Sequence, residues 1–290
     1  MAANVMRGSL RAMTDTSALS ATLARTGPPR IPSFIVTVWG DAVAPRGGSL
    51  WLGSLQAILD RFGCTPGQVR TAMSRLTEEG WLARNRVGRN SFYRLGPRGA
   101  QVFGAAAARI YAGRPPDWDG VFRLVLLAEP TAREALAARG FGALPGGAML
   151  GLAGEPAHLP KGMPLLVGTT RDATEARLLA ARAWPLETLA EGYARFLAAF
   201  GPLREGMIPA AEALPLRLLL VHEWRRLVLR DPLLPPVLLP EAWPGTEARA
   251  LAVALYHRLA PAAEAWLDAE GRNEEGALPP PVATSRFAEA

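Results

Sequence analysis

The stretch TPGQVRTAMSRLTEEG, residues 65–80, decides the fold of the N-terminal third of the chain. Thr65, Pro66 and Gln68 form a helix start, because threonine accepts from first-turn N–H groups, proline suits the first helical position and glutamine completes a capping box. Apolar side chains then recur at helical spacing, at Val69, Ala72, Met73 and Leu76. The pattern predicts an amphipathic helix over residues 66–79.

The opposite face of this helix is polar and basic. It carries the candidate DNA contacts Gln68, Arg70, Thr71, Ser74 and Arg75. A second apolar run with helical period, residues 52–62, comes before it, and only Gly63-Cys64-Thr65 separates the two. Two short helices joined by a tight glycine-containing turn predict a helix-turn-helix, whose second helix can enter the major groove of DNA.

Residues 81–95 predict a β-hairpin, with strands at 81–84 and 91–95 and a Gly/Asn loop between them. Its basic side chains extend the candidate DNA-binding set by Arg84, Arg86 and Arg89. A helix-turn-helix followed by a basic hairpin predicts a winged helix. The segment 33–39 favours a strand by propensity, but such a domain needs a helix there to close its core, so we predict a helix.

Composition excludes several classes of protein. The 290 residues are 49% hydrophobic and 20% charged, which suits a chain with a sizeable core. The single cysteine excludes an internal disulfide framework and fits a reducing, cytoplasmic setting. No apolar run approaches the roughly 18 residues of a membrane helix, so we expect no membrane partner. The three histidines lack metal-ligand spacing, and we predict neither a metal site nor catalytic residues.

Positive charge is concentrated at the N-terminal end. The chain carries a formal net charge of +6, and residues 1–98 contain 13 basic against 5 acidic residues. All but one of the basic residues are arginines, which can contact phosphates and guanine edges with two hydrogen bonds. A basic N-terminal third on a nearly neutral body indicates a domain that meets double-stranded DNA. The alternative is a winged domain used for protein contact.

The motifs resemble those of PaaX-type repressors, which control phenylacetic-acid degradation genes. The run from Gly67 to Leu76, with Gly80-Trp81-Leu82 and Tyr93-Arg94-Leu95, resembles the N-terminal domain of that family. Residues 118–126 look like its opening central strand, and 230–245 are similar to its C-terminal signature. The resemblance implies a homodimeric repressor released from DNA by an aryl-acetyl-CoA ester and requiring no cofactor. Residues 148–152 depart from the family pattern, because Ala-Met-Leu-Gly-Leu stands where the family has a strand with tryptophan, serine and proline.

We predict an α+β fold in five segments. They are a flexible arm (1–29), a winged helix-turn-helix domain (30–112), a small ferredoxin-like domain (117–172), a helical domain (173–270) and a disordered tail (271–290). Candidate effector contacts are His222, Trp224, Arg225 and Arg226, because an arginine pair beside an aromatic side chain can hold a phosphate-bearing ligand. The alternative is that the histidine and tryptophan pack in the helical domain while the arginines are solvated or ion-paired.

Two rival functions remain open from the sequence. One is a DNA-binding regulator with no ligand. The other is a metal-dependent nuclease, since the ferredoxin-like middle domain resembles that of the CRISPR-adaptation nucleases, which place an aspartate at the end of the first strand. Here that strand ends in Ala128-Glu129. A single glutamate is a poor site for divalent-metal phosphoryl chemistry, which gathers several oxygen ligands.

Overall fold

The computed structural model describes residues 17–112, 115, 117–126, 129–152, 163–282 and 286–287. Predictions for the first 16 residues of the arm and for the linker residues Gly113, Arg114 and Pro116 lie outside the described residues. The same holds for Ala128, for residues 153–162 and, in the tail, for 283–285 and 288–290.

The N-terminal third consists of helices around a three-stranded sheet. Its helices are α1 (Ala18–Thr26), α2 (Ile31–Val38), α3 (Leu52–Asp60), α4 (Pro66–Glu78) and α5 (Pro97–Ala112); its strands are β1 (Ser49–Trp51), β2 (Leu82–Val87) and β3 (Asn90–Leu95). The strand order is β1-β3-β2, and both neighbouring pairs are antiparallel. A π-helical turn (Trp39–Val43) and a 3-10 turn (Ala44–Arg46) extend α2 toward β1.

Local chemistry explains α4 and α2 differently. The predicted capping box is present, because Thr65 N donates to Gln68 Oε1 at 2.9 Å and Gln68 N donates to Thr65 Oγ1 at 3.4 Å. In α2 the branched residues would suit a strand, yet Phe34, Ile35 and Val38 are at most 1% exposed in the helix. Burial of one helical face therefore outweighs strand propensity, as predicted.

The hairpin is longer than predicted. Val87 pairs with Asn90, so only Gly88 and Arg89 form the turn, and Gly88 has φ +59°. Two-residue hairpin turns need positive φ at this position, which glycine adopts without a Cβ clash. The predicted six-residue loop is therefore wrong, and Arg86 lies on β2 rather than in the turn.

The rest of the described chain forms a small sheet and a group of long helices. The strands are β4 (Phe122–Val125), β5 (Gly142–Ala143), β6 (Met149–Gly151) and β7 (Leu165–Gly168); the helices are α6 (Pro130–Ala137), α7 (Ala173–Ala183), α8 (Leu186–Phe200), α9 (Ala210–Val228) and α10 (Gly245–Glu270). Strands β8 (Arg272–Asn273) and β9 (Gly276–Ala277) form a C-terminal hairpin. The four-stranded sheet has the order β5-β6-β4-β7, with every neighbouring pair antiparallel.

One hydrophobic core joins the N-terminal third to helices α8, α9 and α10. We call the buried polar contact between these parts the joint, defined by Thr37, Asp41 and Arg46 on one side and Arg217, His222 and Glu264 on the other. Thr37 Oγ1 lies 2.9 Å from His222 Nδ1, and Arg46 Nη2 lies 2.5 Å from Glu264 Oε2. The N-terminal third and the C-terminal helices thus pack against each other through a shared core and these polar contacts.

The side chains of Asp41, Arg46 and Arg217 in the joint are at most 1% exposed. Arg217 Nε lies 2.9 Å from Asp41 Oδ2 in a pair whose side chains are both 0% exposed, although the N–H does not point at the oxygen. Arg286 and the hydroxyl of Tyr111 also contact the Asp41 carboxylate. Arg46 pairs with Glu264 and Asp268 of α10. Buried charges require such partners, because isolated ions lose several kcal/mol of hydration.

Both predicted ends of the chain need correction. The predicted flexible arm contains α1, whose Leu19 is 3% exposed and donates its N–H to the buried Glu212 carboxylate at 3.0 Å. In the predicted disordered tail, the ring of Phe287 is 1% exposed beside Tyr111. The composition of both ends suggested disorder, whereas their few large side chains find partners far away in sequence.

The predicted boundary at residue 173 also differs from the packing. Ala176, Ala180 and Ala183 of α7 share a core with Phe122 and Leu150 of the four-stranded sheet. Helix α7 therefore packs with the sheet, and the long helices that adjoin the N-terminal third begin with α8. We call the unit of β4–β7, α6 and α7 the central unit.

Candidate nucleic-acid interface

Helix α4 exposes the polar face that its sequence predicts. Val69, Ala72, Met73 and Leu76 are at most 6% exposed and hold the helix against the core. The five predicted contacts on the other face are all exposed: Gln68, Arg70, Thr71, Ser74 and Arg75. The structure thus presents these side chains together along one side of a helix that is anchored by its opposite side.

The polar side chains of α4 differ in how free they are. Arg75 Nε donates to Glu79 Oε1 at 2.7 Å, and Ser74 Oγ donates to Glu78 Oε1 at 2.9 Å. Within the described residues, Arg70 has no hydrogen-bond or ion-pair partner. The pair formed by Arg75 lowers the net positive charge at the C-terminal end of the helix, and sequence inspection assigned it no partner.

Strand β2 of the hairpin carries exposed arginines on the same face as the buried Leu82. Side chains two apart along a strand share a face, so Arg84 and Arg86 lie beyond Leu82 on that face. Arg84 Nη2 donates to Ser91 Oγ at 2.8 Å, which fixes its direction across the hairpin. Arg89 occupies the turn, is exposed and, in the described part of the chain, has no polar partner. These arginines and α4 form a continuous candidate interface.

The other face of the hairpin is occupied by the C-terminal hairpin β8–β9. Glu274 accepts from Ser49 Oγ at 2.5 Å and from Asn85 Nδ2 at 3.3 Å. Although some burial opposes it, hydrogen bonding to Ser49 and Asn85 keeps the pKa of Glu274 below its usual value. An acid thus covers the face turned away from the candidate interface, and sequence reasoning missed this contact because its partners are about 190 residues or more apart.

The predicted effector residues are not brought together in one site. His222 contacts Thr37, and burial together with nearby arginines lowers the pKa of His222 to about 3. The indole of Trp224 donates to Ile110 O at 2.9 Å. Arg226 pairs with Glu223 on an exposed face. Three of the four predicted effector residues are thus engaged in contacts within the chain, and their role toward an effector stays a prediction.

Of the four predicted effector residues, Arg225 is the one that lines the cavity between α2, α5 and α9. Its Nη2 donates to the hydroxyl and carbonyl oxygens of Ser33, at 2.7 and 3.2 Å, while its Nε is buried without a partner. Burial lowers the pKa of Arg225. Among the described residues no carboxylate lies within ion-pair distance of this guanidinium.

The C-terminal signature has a structural role. The carboxylate of Asp231 accepts from the hydroxyl of Tyr193 at 2.6 Å and from Leu233 N at 2.7 Å. Leu233 has φ +56°, so this aspartate stabilises a turn that a branched side chain would otherwise disfavour. The segment between α9 and α10 accordingly contains a 3-10 turn at Pro236–Leu238.

Comparison with known proteins identifies the family. Residues 30–99 match the family described as PaaX-like protein, and residues 184–269 match its C-terminal domain. The transcriptional repressor PaaX of Escherichia coli (strain K12) is 37% identical over 278 residues, which are 86% of this chain and 86% of the relative. The chain belongs to the PaaX-like family.

Membership in the PaaX-like family confirms the resemblance that the sequence motifs predict, and it agrees with a regulator rather than an enzyme. The fold is shared with the uncharacterized protein Rv0674 from Mycobacterium tuberculosis, with a TM-score of 0.55 and 21% identity over 81% of this chain and 97% of that chain. The described residues contain no group of three or more side chains placed to hold a metal ion. Their helices include none long and apolar enough to cross a membrane.

Proposed function

We propose that this PaaX-like chain is a transcriptional repressor that binds double-stranded DNA as a homodimer and is released by an aryl-acetyl-CoA ester such as phenylacetyl-CoA. The E. coli relative is named as a transcriptional repressor. The observation that carries the DNA part is the pairing of a polar, arginine-bearing α4 with the arginines of the adjacent hairpin. The effector and the homodimer rest on the family resemblance.

In this proposal the N-terminal third acts as a winged helix-turn-helix. Helix α4 enters the major groove, where Arg70 contacts base edges or neighbouring phosphates, and Arg75 does so once it leaves Glu79. A bidentate arginine–guanine contact contributes about 1–3 kcal/mol of discrimination. Arg86 and Arg89 contact the phosphate backbone or minor groove. Two copies would read half-sites separated by about one helical turn or a multiple of it.

We also propose that the central unit is ferredoxin-like. Its strand order, counted within the unit, is 2-3-1-4 with antiparallel neighbours, and a helix follows the first strand. That order supports the βαββαβ arrangement. The segment between β6 and β7 includes residues 153–162, which lie outside the described residues.

Two arginine substitutions test the DNA part. Arg70→Ala should relax sequence preference on α4, whereas Arg89→Ala should weaken binding to all sequences and reduce the salt slope by about one. Arg182→Ala, on an exposed position of α7, is the matched control and should change neither. Binding is measured by fluorescence anisotropy on operator and scrambled DNA across a salt series. Equal loss of specificity from the two variants would contradict the assigned roles.

The operator and effector are found in one selection. The full-length protein is incubated with a genomic DNA pool, with and without acyl-CoA esters, and the retained DNA is sequenced. We expect an imperfect palindrome that phenylacetyl-CoA releases. A palindrome insensitive to every ester would support a ligand-independent regulator, and no enrichment would indicate that the winged segment is a protein-contact module.

A further inference from the structure

A cavity of about 170 Å³ lies inside the joint region, between α2, α5 and α9. Its walls are mostly apolar and include Val36, Phe103, Ala106 and Leu229. An apolar cavity of about 150 Å³ in another protein stays dry and accepts benzene, so this volume suits a single six-membered aromatic ring. Val102 and Leu229 are 44% and 40% exposed, which places an opening between α5 and α9.

Among the residues that line the cavity, two buried side-chain atoms have no hydrogen-bond partner within the described residues, the acceptor Asp41 Oδ2 and the donor Arg225 Nε. Thr37 contacts His222, and the hydroxyl of Tyr111 donates to Asp41 at 2.8 Å. The Asp41 carboxylate is further paired with arginines of the joint. The buried Nε of Arg225 has no acceptor. A buried donor left without an acceptor costs about 1–3 kcal/mol, more when it is charged.

We propose that this cavity is the acyl-group site of the effector, with the aromatic ring among the apolar side chains and the carbonyl oxygen accepting from Arg225 Nε. This inference rests on the proposed function, because it assigns a place to the ester named there. The ligand class is a compact aromatic acyl thioester, in which ring and carbonyl are separated by one carbon.

The location also supplies a route to the DNA-binding face. Trp81 lines the cavity and lies three residues after Glu78, the last residue of α4. Its carbonyl accepts from Gly96 N at 2.8 Å, and Arg98 lies over its ring at 4.7 Å. A Cβ at position 99 would come within 2.5 Å of the Trp81 carbonyl oxygen, so this backbone is tightly packed. A ligand that moves Trp81 or α5 must therefore move the base of the hairpin.

Regulation then follows from differential affinity. The ester shifts the protein toward the arrangement that binds the ester better, and DNA shifts it toward the arrangement that fits the operator. The coupling is reciprocal, so operator DNA must weaken ester binding by the same factor as the ester weakens DNA binding.

The test compares two substitutions of neighbouring alanines on α5. Ala106→Phe fills the cavity, while Ala105→Phe adds the same ring at an exposed position. Calorimetry on the full-length variants uses phenylacetyl-CoA and, as a probe without the ring, acetyl-CoA. We expect wild type to bind phenylacetyl-CoA at least tenfold more tightly than acetyl-CoA. Ala106→Phe should lose about tenfold for phenylacetyl-CoA alone, and Ala105→Phe should match wild type.

A second pair tests the guanidinium. Arg225→Gln should lose about tenfold in affinity for both esters, because both carry the carbonyl. Arg230→Gln, at an exposed position just after the end of the same helix, should lose nothing. Thermal melting verifies that each variant is folded. Wild-type affinity in both Ala106→Phe and Arg225→Gln would overturn the cavity site while leaving an ester-released repressor intact. Failure of every ester to bind wild type would overturn the effector and its site together, while operator binding would still test the repressor.

Discussion

Two aspartate–arginine pairs show how differently the joint and the central unit are built. Asp41 and Arg217 in the joint have fully buried side chains, and further arginine and tyrosine groups contact the same carboxylate. Asp119 and Arg123 in the central unit form an i,i+4 pair in which the aspartate side chain is 52% exposed. The first pair belongs to the core that unites both ends of the chain. The second lies at the surface of a smaller unit with its own cores.

The difference indicates which parts of the chain should resist unfolding most. The N-terminal third and the helices α8–α10 share one core, so we expect them to unfold together. The central unit has smaller clusters, and its edge strand β7 exposes Leu166 and Val167 by 53% and 62%. Interfaces that bury charge and apolar surface together resist separation, whereas a unit with small cores opens more easily.

The largest expected effect comes from breaking the buried pair. Asp41→Asn keeps the shape but removes the anion that Arg217 and Arg286 share, so that Arg217 keeps Glu264 alone, and we expect a loss of about 3–5 kcal/mol in the free energy of unfolding. Urea unfolding at neutral pH measures it. The matched variant Asp119→Asn should leave the unfolding midpoint unchanged. If the two variants had equal effects, the contrast between the joint and the central unit would be lost.

A smaller effect is expected when native leucines in the two regions are replaced by alanine. Leu19→Ala removes a buried side chain of α1 from the shared core, and we expect a loss of about 2–5 kcal/mol. Leu166→Ala, at the exposed edge strand, should change little. Thermal melting monitored by circular dichroism compares them. A Leu19→Ala variant as stable as wild type would favour the prediction that the N-terminal arm is flexible.

The smallest effect is expected from two glycine substitutions on α5, which test how tightly this helix packs on Trp81. Gly99→Ala places a Cβ against the Trp81 carbonyl, and we expect a loss of about 1–3 kcal/mol from overpacking. Gly104→Ala lies on the same helix in open space and should gain about 0.5–1 kcal/mol, because alanine loses less backbone entropy. Chemical denaturation of both variants gives the comparison. Equal shifts in the same direction would show that α5 is not tightly packed on Trp81.

Local signals made part of this structure predictable. The capping box and apolar period of α4 depend on residues within one helix, so sequence alone located the helix and its exposed contacts. The helix at α2 required a tertiary argument, because its branched residues favour a strand on their own. The turn at Gly88 shows the limit of local reasoning, since the length of the flanking strands depends on the pairing partner.

The remaining features depend on contacts between distant residues. Nothing near Arg225 in the sequence indicates that its Nε lies in an apolar cavity, and nothing near Glu274 indicates a hairpin beside it. The ends of the chain were predicted as disordered from their composition. The position of each end is instead fixed by single large side chains such as Phe287. The average composition of a segment does not reveal the effect of one such residue.

The contact of Arg286 with Asp41 spans 245 residues, and the ring of Phe287 fills a place beside Tyr111 in the same region. During synthesis the N-terminal third emerges from the ribosome well before Arg286 and Phe287. Its core therefore cannot close fully until these two residues have been released. Non-local contacts of this kind slow folding, because a long loop must close before they form. A nascent chain that stops short of Arg286 would present an incompletely packed N-terminal third, so this part of the molecule completes its folding only after those residues are made.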